Sequence, residues 1–401
     1  MTTFTPQNQQ EVAEAISWAA AEDAPLELVG HGSKRGVGRP VQTEHTLDMS
    51  KLSGVTLYEP GELVLSVGAG TPLAEIETLL AQNGQQLAFE PMDYGRLHNL
   101  PAGRGTIGGV LAANLSGPRR LKAGAARDHI LGIEAVSGRG EAFKAGGRVV
   151  KNVTGYDLSK AMAGSWGTLA ALTSVTFKVL PSAETETTLM IIGLLDDQAC
   201  AAMALAMGSS AEVSSAAHLP EGVTARISLG TLGSAAVTLL RLEGFPPSIA
   251  YRLAMLKSLF ANAGQLEEIC GDASRNLWRD IRDCAPFADG AQTPVWRVSV
   301  APADAHALTL DLRRDAPATA FYDWQGGLVW LRMEDGEARA EQLRALVKKH
   351  GGGHATLVRA TPSIRVATPV FEPQPTALAA LSVRLKEQFD PKGILNPGRM
   401  G

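Results

Sequence analysis

Three glycine-rich stretches hold the residue types that bind anions. GHGSKRGVG, residues 30–38, has four glycines in nine residues and sets His31, Ser33 and Lys34 around Gly30 and Gly32. A second glycine turn ends the apolar run ELVLSVGAG at 62–70. AGRGTIGGVLAANLSG, residues 102–117, adds Thr106, Ile107, Gly108 and Gly109, then Asn114, Ser116 and Gly117. Glycine has no Cβ, so its backbone N–H groups can close on an anion in a nest or at a helix start. Two such loops from separate parts of one unit could clamp a pyrophosphate. Each loop taken alone also reads as an ordinary turn.

Gly103, Gly105 and Gly108 spell G-x-G-x-x-G, and Asp128 stands twenty residues beyond Gly108. That is the spacing of a dinucleotide fingerprint, which must follow a hydrophobic strand. Here PMDYGRLHNLPA precedes it, broken by Pro91 and Pro101, so a Rossmann site is not expected. Cys200, Cys270 and Cys284 form no C-x-x-C pair, which leaves no cysteine zinc or iron–sulfur site and suits three buried thiols in a cytoplasmic protein. His350 and His354 flank a glycine run without an adjoining glutamate; a surface turn is expected there, and no metal site. Arg297, Arg359 and Arg365 could each grip a carboxylate through a bidentate guanidinium.

The elements that must position these loops can be read from periodicity. QEVAEAISWAAAE places Val12, Ile16, Ala19 and Ala20 on one helical face, and PLELVG reads as a short buried strand running into the first loop. TPLAEIETLLAQNG reads as a helix with Thr71 as N-cap, Pro72 at its first position and Asn83-Gly84 as its stop. DHILGIEAVSGRGEAFKAGG reads as a strand pair, and LTSVTFKVLP as a strand closing at Pro181. After Pro181, runs such as TTLMIIGLL, AAVTLLRLEG, VWRVSVAP and GLVWLRM alternate with helical patterns. That predicts an antiparallel sheet with helices on one face. With 401 residues and a net charge of −4, two or three domains are expected, and a dedicated nucleic-acid binder is not. No basic stretch with an apolar core opens the chain and no 18-residue apolar run crosses it, so neither a secretion signal nor a membrane span is expected.

Five segments resemble, in order, the FAD-binding family of vanillyl-alcohol oxidase and p-cresol methylhydroxylase. PLELVGHGSKRG looks like its first pyrophosphate loop, and GRGTIGGVLAANLSG like its second, where a T-I-G-G step donates N–H groups to the diphosphate. GAARDHILGIEAV is similar to the segment that follows. NVTGYDLSKAMAGSWGTLAALTSVTFKVLP and FDPKGILNPGRM resemble two further signatures. The resemblance implies an α+β protein: a PCMH-type FAD-binding domain at 1–181, an antiparallel-sheet α+β cap at 182–370, and a C-terminal segment at 371–401 that returns to the first domain. It implies FAD held by Gly30, His31, Gly32, Ser33, Lys34, Thr106, Ile107, Gly108, Gly109, Asn114, Ser116, Gly117, Asp128, Ile133 and Asn396. Ser33 occupies the position where some relatives bond the flavin to a histidine, so the FAD is expected to be non-covalent. Tyr156 and Trp166 read as packing aromatics or flavin contacts, and Asp157 as the cap of a helical turn.

Within the family, the resemblance is greatest to the FAD-binding accessory subunits of bacterial glycolate oxidase. It implies a flavin catalytic subunit and an iron–sulfur subunit as partners. It also implies a small 2-hydroxy-acid substrate such as glycolate, and a cytoplasmic place with peripheral membrane association through those partners. The cap cluster of histidines and glutamate found in catalytic relatives is absent, and no catalytic residue is assigned. A self-sufficient FAD dehydrogenase of a hydroxy acid or polyol, and a non-catalytic scaffold with a decayed flavin site, remain open alternatives.

Overall fold

The computed structural model describes residues 2–149, 155–227 and 235–400. Among the described residues, the first part of the chain builds two larger sheets around the glycine loops and a two-stranded one, in which Gln85–Gln86 pairs with Leu180–Pro181. Thr2–Phe4, His45–Asp48 and Leu26–Val29 pair in parallel, with His45–Asp48 in the middle. The helix Gln9–Ala21 lies against them, burying Val12, Ala15, Ile16 and Ala19; Ala20 is only half-buried. Asn8 caps that helix by accepting the Glu11 N–H. The second sheet is antiparallel, with strands in the order Val55–Glu59, Val64–Gly68, Ala170–Lys178, Ile130–Ser137, Ala142–Gly146. The expected strand pair at 128–147 is the hairpin at its edge.

One cap differs from the expected chemistry. The helix Leu73–Gln82 has Pro72, not Thr71, at its N-cap. The Thr71 hydroxyl is already engaged: it donates to the Gly68 carbonyl at 2.7 Å and accepts the Gly54 N–H at 3.0 Å.

After Pro181 the chain forms an eight-stranded antiparallel sheet among the described residues. Its order is Gln265–Cys270, Thr185–Ile192, Val237–Gly244, Ser215–Leu219, Ala318–Asp323, Leu328–Met333, Val295–Val300, Gly353–Arg359. Side chains alternate across it. One face carries Trp296, Val298, Leu331 and Leu240 into a core with the helices Asp196–Met207, Pro246–Leu259, Ala305–Asp315 and Ala340–Lys349. The other face carries Val295, Trp330, Phe321 and Leu239 into a core shared with Phe89, Tyr94, Leu97 and Val110 from the glycine-loop part. A further helix, Gly271–Arg282, sits on this second side through Leu277, Trp278 and Ile281.

Charges lock the seam. Arg241, almost wholly buried, donates to both oxygens of Glu90 at 2.9 and 2.7 Å, and Arg119 holds Glu243 at 2.9 and 2.5 Å. Paired this way, the Glu243 carboxyl stays at about 2 despite burial. The chain ends by returning: after the helix Thr376–Phe389, the backbone N–H of Asn396 donates to the Leu26 carbonyl, and the Leu28 N–H donates to the Asn396 side chain.

Candidate functional site

Leu26–Val29 ends at a cleft, and the first glycine loop is its rim. The walls are Gly30–Arg35, Thr106, Gly108 and Gly109, the segment Trp166–Gly167, and Asn396 with Arg399 from the end of the chain. The empty space is about 760 Å³ counted out to its open mouth.

The loops meet because glycine allows it. A Cβ on Gly30 would stand 2.6 Å from Thr106 Oγ1. On Gly109 it would point into the cleft, 3.2 Å from Lys34 Nζ. Gly108 serves the core instead. A Cβ there would stand 2.8 Å from the Ala69 carbonyl, so this glycine seats the short helix Ile107–Ala112 against the neighbouring strand end.

The donors are divided unequally between the loops. In the second, Ile107 N–H goes to the Thr71 carbonyl and Gly108 N–H to the Ala69 carbonyl, while Gly109 N–H makes a long 3.3 Å bond to Thr106 Oγ1. The expected donation from this step to a diphosphate is therefore not built in. The step supplies close approach instead. In the first loop, the N–H groups of His31, Gly32, Ser33 and Lys34 donate to no described residue, and Lys34 Nζ has only the Ser33 hydroxyl at 3.4 Å.

Lys34 keeps some exposed surface, yet protein surrounds its ammonium. Burial holds its pKa down at about 8, with Asp93 pulling upward and Arg399 pushing further down. Arg399 donates to the Lys34 carbonyl at 2.6 Å and lies over the Trp166 ring. Burial brings its own pKa down to about 10. A pocket of desolvated cations and free peptide N–H groups is the donor set that a diphosphate satisfies. The residues present thus fit the phosphate half of FAD.

The cleft brings together Gly30, His31, Gly32, Ser33, Lys34, Thr106, Gly108, Gly109 and Asn396. Other expected contacts stand elsewhere. Ile107 and Ile133 are core side chains, 0% and 2% exposed. Asn114 accepts the Arg127 N–H, and half-buried Ser116 lies outside the cleft walls. Gly117 packs on Glu90 and gives its carbonyl to Trp324 Nε1. Asp128 caps a short turn by accepting the Ala125 N–H at 2.8 Å and pairs with Arg120. Asn396 borders the cleft with both amide atoms engaged, accepting from Leu28 and donating to the Trp166 carbonyl at 2.9 Å. Residues 152–154 of the fourth signature lie outside the described residues. Beyond them Asp157 accepts the Lys160 N–H as expected, Trp166 packs on Phe371 and borders the cleft, and Tyr156 stands 91% exposed. Sequence reasoning missed Arg399, which follows the N-P-G turn of the closing signature. A buried arginine carries no periodic signal.

Residues 2–146 match the family described as FAD binding domain. The chain is 33% identical over 399 residues to the glycolate oxidase subunit GlcE of Escherichia coli, covering 98% of this chain and 97% of that one. The chain belongs to the family of this FAD-binding glycolate oxidase subunit. It is an FAD-dependent oxidoreductase of the 2-hydroxy-acid-oxidising group. It is also 27% identical over 190 residues to the glycolate oxidase subunit GlcD of Bacillus subtilis, across 47% of this chain and 39% of that one. In fold it resembles p-cresol methylhydroxylase with substrate bound, with TM-score 0.73 at 15% identity over 100% of this chain and 88% of the other. Among the described residues, no helix is long and apolar enough to cross a membrane, and no group of three or more His, Cys, Asp or Glu could hold a metal ion.

Proposed function

We propose that this chain is the non-covalent FAD-binding subunit of a glycolate oxidase complex, acting on glycolate or a similar short 2-hydroxy acid. Its partners are a flavin catalytic subunit and an iron–sulfur subunit. The observation that carries this reading is Lys34, a desolvated ammonium facing Gly109 across a cleft lined by two glycine loops. When bound, FAD supplies a two-electron acceptor. This chain's residues bind and orient it: Lys34 and the first loop hold the phosphates, and Trp166 and Arg399 close the wall. Ser33, 4% exposed, stands at the position of a covalent linkage but offers a poor nucleophile. The part from about 182 to 370 is the substrate-facing cap, and 371–401 clamps the FAD part.

Turnover needs the partners, because no base is held in place among the described residues. His354 is exposed on its strand and makes no hydrogen bond or ion pair to a described residue. The test is dye-linked glycolate oxidation by the purified, FAD-loaded chain, with and without the two partner subunits. Steady turnover is expected only with the partners. Turnover by the chain alone would make it a self-sufficient dehydrogenase.

A further inference from the structure

Among the described residues, Arg241, Arg332, Arg359 and Arg365 at the seam between the two parts each have at least one partner, and half-buried Arg297 has none. Arg241 holds Glu90, and Arg332 holds Asp289 and Glu334. Arg359 donates to the carbonyls of Thr293 and Phe287, and Arg365 donates to that of Gly38. Arg297 stands on Val295–Val300, on the sheet face turned toward the FAD part, as its alternation with Trp296 and Val298 requires. Its guanidinium lies 4.8 Å from the Trp324 ring centroid and makes no hydrogen bond or ion pair to any described residue. Part of its surface stays accessible.

Most of its described neighbours are hydrogen-bond donors. Trp324 is fixed by its Nε1–H donating to the Gly117 carbonyl, which puts Arg297 beside the end of the second glycine loop. Tyr94, from the segment before that loop, lies close enough for the Arg297 charge to pull its phenol down against burial. Thr356 faces Arg297 across the ladder and His354 faces Ser299, so Arg297 and His354 are diagonal neighbours on one face. The carboxyl whose charge reaches Arg297 is that of Asp323. It is buried, accepts the Trp324 N–H and is raised by burial to about 7, so it leaves much of the arginine's charge unanswered at neutral pH.

We infer that Arg297, with Tyr94 beside it, is the anchor for the carboxylate of a small 2-hydroxy acid on this chain. A guanidinium that is desolvated, held over an indole and left without an acceptor is pre-organised for one bidentate partner. This inference rests on the FAD reading above, since it places the acid on the sheet face that looks onto the cofactor part. It concerns binding, not turnover.

The test is isothermal titration calorimetry of the FAD-loaded chain with glycolate and with glycolamide, its uncharged isostere. Glycolate is expected to bind and glycolamide not. Arg297→Met, which keeps the apolar contact with Trp324, is expected to raise the glycolate Kd by roughly tenfold to a hundredfold. FAD content and melting temperature should be unchanged, and Arg297→Lys should restore part of the affinity. Equal affinity in Arg297→Met, equal binding of glycolamide, or no binding of glycolate by the wild-type chain would overturn the inference. The visible flavin band, read before each titration, scores the cofactor reading separately. Should Arg297→Met fail to fold, phenylglyoxal labelling of the wild-type chain decides. Glycolate must slow modification of the peptide carrying Arg297, and labelling at an unchanged rate sinks the proposal.

Discussion

Arg399 donates from its guanidinium to the carbonyl of Lys34 at 2.6 Å, joining the C-terminal turn to the first glycine loop. The contact orients the peptide between Gly30 and Arg35, which lines the cleft, and it adds a second positive charge there. The C-terminal turn is therefore part of the cleft wall. What each substitution does depends on which atoms face the cleft and which face the core.

Gly108 and Gly109 are adjacent but should fail differently. Gly109→Val puts a side chain against Lys34 Nζ and into the cleft. It should weaken FAD binding by about tenfold or more, the scale of one overpacked contact, while the FAD-free melting temperature barely moves. Gly108→Ala meets the Ala69 carbonyl at 2.8 Å instead. It should lower the FAD-free melting temperature. Fluorescence titration with FAD and a thermal melt of each variant separate the two.

Lys34 makes FAD affinity depend on pH. Its pKa is lowered to about 8 in the free chain, and a bound diphosphate raises it. Binding then takes up a proton above pH ~8, so affinity is full below that pH and falls by up to about tenfold per unit above it. The fall levels off once pH passes the raised value. Lys34→Met should bind FAD weakly at every pH and lose the slope. A Kd series from about pH 6.5 to 10 checks both statements.

Asn396 is a structural clamp on the cleft's floor. Asn396→Ala leaves the Leu28 N–H and the Trp166 carbonyl without partners. It should destabilise the chain by about 1–3 kcal/mol, the cost of stranding buried polar groups. Asn396→Asp keeps the acceptor for Leu28 and loses the donor to Trp166, so it should be the milder variant if its charge is tolerated. Its position at φ 43° also favours asparagine over β-branched residues. Urea denaturation of the FAD-free variants measures the difference.

Much of this was legible in the sequence where one periodicity ran unbroken. The helix Gln9–Ala21 buries Val12, Ile16 and Ala19 as its spacing requires, and both glycine loops meet at one cleft. The misses have physical causes. Gln265–Cys270 is an edge strand with Glu267 and Glu268 on it, so it lacks the apolar run of its neighbours. Ser215–Leu219 and Ala318–Asp323 are short, largely buried and rich in alanine, which has little strand signal. Gly271–Arg282 hides its apolar stripe among arginines and aspartates that serve the seam. Ile107 and Ile133 sit in sequence beside loop residues, but only the fold shows that they turn into the core. The division of donors between the two loops was invisible too, because the carbonyls of Ala69 and Thr71 reach the second loop only after the chain folds.

The central claim is that FAD sits non-covalently in the cleft between the first loop and Gly109. The most direct measurement is the visible flavin absorbance of the purified chain, repeated on the supernatant after acid precipitation. The expected result is a flavin spectrum at one FAD per chain, all of it released by acid. A colourless chain that binds no added FAD, or flavin retained in the precipitate, would contradict it.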